Sequence, residues 1–463
     1  MIQNERSKIK RPVENVGIEP LGFTSISAFV FGLGLMIHFR VGVRVSLTEI
    51  LVPFLIATHS NKLQQLFQNS SIVLGLKLLV LYGVSIAMSD FLQDVPFEDT
   101  IRAIVIVGFL FTILISVGLI LIEGLGLIVT ILSGFAFGTL LHLFFNTAGD
   151  LYDFSSESLQ YAFFVFRFSP ALTSWTCLLA YHLSAKGKTK TALMLIISSM
   201  VIAVYFTTRS ACFSWLLAVT CCSYAMLQKG VDSHTLLFPA RKMVVLAVAL
   251  SVMSIGSYYL YRELATRGLL GNSLKAQDNL KVLYSESETG VLGLLMRGRT
   301  EVLASILMIL DSPIIGLGTS ADSSNYYDEA FAIAGKGTAS FSTYTPHEDG
   351  RIRSGHSMIF HSWASNGIFA LPFWLYVLFM LYRTIIMLML SKSKYLWLLI
   401  LLLISAIWDI VFSPMSVQSR AWIPCLLAFS AVYLAQVRQS ALSTLDPYNR
   451  SLGWRYLRNK GPA

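Results

Sequence analysis

Apolar windows of about twenty residues recur along nearly the whole chain, and no other feature restricts its fold as strongly. A helix needs about 20 mostly apolar residues to cross the hydrocarbon core of a bilayer, where every backbone polar group must find its partner inside the segment. Such windows are placed near 22–38, 46–59, 71–89, 101–121, 125–145, 159–182, 190–207, 211–227, 242–261, 357–381, 395–412 and 420–437, twelve in all. Only 13% of the 463 residues are charged against 55% hydrophobic, a balance that excludes a soluble domain. The expected class is an all-α polytopic membrane protein. Between the fourth and fifth windows, Glu123 with Gly124 and Gly126 marks either a tight turn or a broken helix.

Loop charge tests this count independently. Inside loops of a membrane protein carry the excess of Lys and Arg. With the N-terminal tail (1–21: Lys8, Lys10, Arg11) placed in the cytoplasm, the basic stretches Ser184–Lys190, Gln228–Lys242 and Arg383–Lys394 fall inside, as does the tail from 438 with Arg450, Arg455, Arg458 and Lys460. The stretches Asp90–Asp99 and Asn146–Glu157 are acidic and fall outside. Arg40 and Arg44 are the exception, placed outside by the same count. Both termini are therefore expected in the cytoplasm. The net charge of +9 reads as orientation charge and contact with lipid headgroups. No basic run interleaved with aromatics argues for nucleic acid.

The first twenty residues are polar and basic, without the apolar core of a cleavable signal, so the first window is expected to act as an uncleaved anchor. Cys177, Cys212, Cys221, Cys222 and Cys425 all fall in or beside apolar windows without a CxxC pair, as buried small hydrophobes do. One long segment, 262–355, separates nine windows from the last three and far exceeds an ordinary connection. Within it Leu295, Val302, Leu303, Ile306, Leu307 and Leu310 recur at helical spacing, opposite Arg297, Arg299 and Glu301. Asp311-Ser-Pro-Ile-Ile-Gly-Leu-Gly318 stops that helix, and 319–353 is polar, aromatic and Gly-rich, as expected of a loop over a site.

The arginines carry the chemical signal. A cation at membrane depth costs several kcal/mol, about 2.5–3.5 on insertion scales, unless it is paired or faces water. Arg167 lies inside the sixth window, Arg209 ends the seventh, and Arg420 opens the twelfth; Arg297, Arg299, Arg351 and Arg353 belong to the long segment. All seven fall on the outer side, against the positive-inside bias. Taken singly they read as interfacial side chains snorkelling to lipid phosphate. As a set they point to a bound phosphate group, whose oxygens the guanidinium fork meets bidentately. A diphosphate-linked lipid is the natural ligand at that depth.

Beside them, Gly350-Arg-Ile-Arg-Ser-Gly-His-Ser357 leads from a basic loop into an apolar helix. A histidine held next to fixed cations suits a proton acceptor, because imidazole titrates near neutral pH. His356 and His361, five apart, are turned about 140° from each other on a helix, unlike the i, i+4 zinc pair. Metal ligation is not expected there. Ser-His-Asp hydrolysis lacks a nucleophile elbow.

His356-Ser357 followed nine residues later by Gly367 resembles the histidine motif of the bacterial O-antigen ligase and O-antigen polymerase superfamily. Two further stretches are similar to the same family: Thr207-Thr-Arg-Ser-Ala-Cys-Phe-Ser-Trp215, and Gly298-Arg-Thr-Glu-Val-Leu303 through Asp311-Ser-Pro-Ile-Ile-Gly-Leu-Gly318. The resemblance covers about 195–377; over the first 190 residues it extends only to topology and Arg167. It implies a metal-independent and cofactor-free glycosyltransferase of the bacterial inner membrane, active on the periplasmic side. Its donor would be an undecaprenyl-diphosphate-linked glycan and its acceptor lipid A-core or another glycan, with a chain-length regulator as a candidate partner. Carried over, His356 would take the proton of the acceptor hydroxyl while Arg209 and Arg299 hold the diphosphate. Arg167, Arg297, Arg351, Arg353 and Arg420 join that set by position alone. Ligases tend to have Gly, Thr or Tyr three residues after the motif glycine; Ala370 stands there, tilting the reading toward a polymerase. The alternative from another class is a secondary transporter or flippase for an anionic or lipid-linked solute, which twelve spans also suit.

Overall fold

In the computed structural model the described residues are 22–41, 43–145, 167–206, 209–227, 300–321, 323–333, 357–413 and 415–458. They form an almost wholly helical bundle, the chain of a polytopic membrane protein. Among them six helices are long and apolar enough to cross a membrane: Ser70–Leu92, Phe97–Glu123, Leu127–Phe145, Ile368–Leu390, Tyr395–Phe412 and Gln418–Ser440. In chain order the elements are α1 (Phe23–Gly34), β1 (His38–Val41), β2 (Val43–Ser46), α2 (Leu47–Thr58), α3 (Leu63–Phe67), α4 (Ser70–Leu92), α5 (Phe97–Glu123), α6 (Leu127–Phe145), α7 (Ser169–Ala185), α8 (Thr189–Phe206), α9 (Arg209–Leu227), α10 (Thr300–Asp311), α11 (Ser324–Ile333), α12 (Met358–Asn366), α13 (Leu371–Leu390), α14 (Tyr395–Phe412) and α15 (Val417–Arg458).

Three of the expected windows change character. The window 22–38 holds a helix of 12 residues that gives way to an antiparallel hairpin with Arg40 opposite Arg44. Window 46–59 holds another helix of 12 residues, begun by a capping box in which the Ser46 hydroxyl accepts from Glu49 N and Glu49 accepts from Ser46 N. At about 1.5 Å per residue, 12 residues reach roughly half of the ~30 Å core. The window 357–381 is broken at Gly367 into α12 and α13, with a 3-10 turn at Ile368–Ala370 between them. The window 242–261 lies outside the described residues.

The other ambiguity resolves as a tight turn. α5 ends at Glu123, Gly124 is extended, and α6 begins three residues later at Leu127. Glu123 then gathers polar partners at that end of the bundle: it accepts from Thr24 Oγ1 at 2.6 Å and pairs with Lys62 at 2.5 Å. α1 packs against α6 almost backbone to backbone, because Gly32 and Gly134 leave room for the carbonyls of Ile131 and Phe29. Small residues at such crossings let helices associate where lipid offers no hydrophobic driving force.

α14 is the central post. Twelve of its 18 residues are buried, and it packs against α7, α9, α12, α13 and α15. Tyr181, near the end of α7, stacks on Tyr395, the first residue of α14, at 6.2 Å; the two helices therefore run in opposite directions. The last turn of α14 lies beside the start of α7, at what is called here the upper end.

Candidate functional site

α12 gives the histidine motif a structural meaning. Ser357 is its N-cap, fully buried, and its hydroxyl accepts from Phe360 N at 3.2 Å, satisfying one of the donors a helix start leaves open. The same hydroxyl lies 3.5 Å from Ile410 O in the last turn of α14. The nine residues between Ser357 and Gly367 are the helix itself, and Gly367 stops it at φ 77 ψ −176, a region essentially open only to glycine. In sequence, His356 is the residue immediately before the N-cap of this short, doubly terminated helix.

The motif stretch at 311–318, within the long segment, interlocks with the one at 357–367 that follows it. Leu317 N and Gly318 N donate to Ala364 O and Ser365 O at 2.9 Å each, and Ile368 N donates to Ile314 O at 3.1 Å. Gly316, at φ 85, and Gly367 lie backbone against backbone, so close that a Cβ on either would collide with the other strand of the junction. Trp363 Nε1 donates to Pro313 O at 2.7 Å, and Ser312 Oγ to Gly316 O at 2.9 Å. The pattern Asp311-x-Pro313-x-x-Gly316-x-Gly318 is therefore a socket for the end of α12. On its other side α10 and α11 pack together through Leu303, Ala304, Tyr327 and Ala330, and Tyr326 donates its hydroxyl to Asp311 at 2.5 Å.

Two of the expected residues, Arg167 and Arg209, lie toward the upper end, as does Ser357, the sequence neighbour of His356. Arg167 stands just before α7 and is 8% exposed, with its Nε lacking a hydrogen-bond partner among the described residues. Thr176 Oγ1 donates to Ser199 Oγ at 2.9 Å, registering α7 against α8; Arg167 lies nine residues before Thr176, and Phe206, the last residue of α8, seven residues after Ser199, about 14 Å and about 10 Å along the chain respectively. Arg209, the first residue of α9, therefore starts at the same end of the bundle as Arg167. Ser357, beside His356, touches the last turn of α14, the helix against which α7 and α9 both pack. Arg297, Arg299, Arg351, Arg353 and His356 itself lie outside the described residues.

Arg420 requires a correction. It is 7% exposed and its guanidinium fork grips Glu49, itself 3% exposed, with Nε to Oε1 at 2.5 Å and Nη2 to Oε2 at 3.0 Å. Its face lies over Phe109, 5.3 Å from the ring centroid. A fork already neutralised by a carboxylate is not available to phosphate, so Arg420 joins α15 to α2 instead of lining the diphosphate set.

Two acidic residues escaped the sequence reading. Asp90 was counted as loop charge, yet it is 1% exposed and accepts from Thr319 N and Thr319 Oγ1 at 2.7 Å each. Asp409 is the one acidic residue in the Leu-rich α14, one position before Ile410. Ionisable groups are rare within so apolar a helix, and that signal was present in the sequence. Among the described residues no three His, Cys, Asp or Glu side chains group as metal ligands. Comparison with the models of known protein families finds no match, and comparison with curated proteins finds none either.

Proposed function

We propose that this chain is a metal-independent membrane glycosyltransferase that moves a glycan from a polyprenyl-diphosphate carrier onto a sugar hydroxyl, as the O-antigen ligases and polymerases do. Twelve spans, an outward-facing long segment at 262–355 and cytoplasmic termini belong to this reading. Its main support is the buried guanidinium of Arg167, unpartnered at Nε among the described residues, at the end of the bundle where Ser357, the sequence neighbour of His356, meets the last turn of α14. A buried guanidinium with an unsatisfied donor is costly; a diphosphate would accept from it and is also the leaving group. In the transfer, the acceptor oxygen forms the bond to the anomeric carbon, the bond to the diphosphate oxygen breaks, and the acceptor proton passes to His356. Arg167 and Arg209 hold the departing charge.

The transporter reading gains one observation, the interrupted helix at Gly367. Transporters of that design pair two such breaks across internal repeats, whereas the break here is closed by the socket at 311–318. His356→Ala is expected to abolish transfer while the protein still inserts and accumulates; glycolipids from a strain carrying only this variant would show product missing. Normal product would sink the assignment of His356.

A further inference from the structure

α4 carries a polar stripe inside an otherwise apolar span. Tyr82, Ser85, Ser89 and Gln93 recur at spacings of three and four, one face of a helix, and each bonds to the α12 junction. Tyr82 OH and Ser362 Oγ are 2.9 Å apart, Ser85 Oγ donates to Asn366 O, Ser89 Oγ donates to Ser365 O at 2.8 Å, and Gln93 Nε2 donates to Gly316 O at 2.9 Å. Next to this stripe, the Asp90 carboxylate receives both donors of Thr319, one on each oxygen. No Lys or Arg pairs with Asp90 among the described residues.

We propose that Asp90 is a positioning residue: it clamps the socket 311–319 onto α4 and so sets the depth at which α12 presents its N-terminal end. The argument rests on chemistry that a neutral residue does not reproduce. A buried carboxylate with no cation among the described residues is retained at a cost, which two charge-assisted bonds to one residue offset. Thr319 is the first residue after Gly318, and Gly318 N is itself bonded to Ser365 O, so the clamp reaches α12 through two hydrogen-bonded steps. In chain terms Asp90 joins residue 90 to a segment 229 positions away, fastening the α10–α11 pair to the early helices. The clamp's effect on transfer rests on the proposed function; its effect on the socket does not.

The test is hydrogen–deuterium exchange on the full chain in nanodiscs, following peptides from 311–319 and 357–366, with transfer measured on the same preparations. Removing the acceptor in Asp90→Ala is expected to raise exchange of both peptides by about tenfold to hundredfold, the range of charged-group bonds. Thr319→Val, which keeps the backbone donor, should give a smaller rise, and Thr319→Ser should restore wild-type exchange. Transfer should fall in kcat, with KM for the lipid donor kept, in the order of the exchange changes. Unchanged exchange in Asp90→Ala at these peptides overturns the clamp, whatever reaction the protein performs. Faster exchange with undiminished kcat overturns the positioning role. Should Asp90→Ala fail to accumulate, Thr319→Val against Thr319→Ser decides on the same readouts.

Discussion

Gly367→Ala puts the junction between the two motif stretches to a quantitative test. At φ 77 ψ −176 an alanine is forced into a region that costs about 1–3 kcal/mol. Its Cβ would also drive into the backbone of Ile314 and Ile315, displacing the carbonyl that accepts from Ile368 N at 3.1 Å, a bond worth about 0.5–1.5 kcal/mol. The sum is about 1.5–4.5 kcal/mol, with the local clash deciding where in that range it falls. Thermal unfolding of the purified protein in detergent, followed by intrinsic fluorescence, should show the midpoint lowered by a few degrees. Gly108→Ala is the control: a Cβ there meets nothing within 4 Å, and replacing an exposed helical glycine is expected to stabilise by up to about 1 kcal/mol. A Gly367→Ala protein that melts with the wild type would refute the interlock as described.

Further outcomes follow from individual contacts. Glu49→Leu should destabilise by about 3–5 kcal/mol, because it strands the buried Arg420, and the double variant Glu49→Leu/Arg420→Met should recover most of that loss; equal melting of single and double variants would argue against the pair. The Tyr326 hydroxyl is pushed up to about 12 by its hydrogen bond to Asp311. Its contribution to docking α11 on α10 is present in full below about 10, the free tyrosine value, and is lost as pH rises through about 12. Limited proteolysis of 300–333 should accordingly separate Tyr326→Phe from wild type at pH 8 and cease to separate them above pH 12. Arg209→Lys should rescue Arg209→Ala poorly in diphosphate-lipid binding, since a point charge does not copy the fork; full rescue would remove the bidentate argument.

How far the chain is legible from its sequence depends on the range of the interaction concerned. α4, α5, α6 and α14 lie where summed hydropathy places them, because lipid rewards apolarity residue by residue. The hairpin is hidden for a related reason: Phe39-Arg-Val-Gly-Val-Arg-Val45 alternates with period two, but between two apolar windows it reads as the loop that joins two spans. The break at Gly367 was hidden inside one hydrophobic run. Its glycine was visible only as a spacing, while the reason for it, the backbone of Ile314 and Ile315, comes from another segment. Arg420 was misassigned because its partner Glu49 is 371 positions away, and Asp90 was read as surface charge because Thr319 is equally remote in sequence. Ser357, by contrast, was legible in principle: an N-cap residue followed nine residues later by a helix-stopping glycine is a local pattern.

The central claim is that Arg167 and its neighbours at the upper end hold a lipid diphosphate. Binding of undecaprenyl diphosphate to the purified protein in nanodiscs, measured for wild type and Arg167→Ala with undecaprenyl monophosphate as the comparison lipid, tests it most directly. The account predicts preference for the diphosphate and a loss of about tenfold to hundredfold in Arg167→Ala, the range for a hydrogen bond to a charged group. Equal affinity for the two proteins would contradict it.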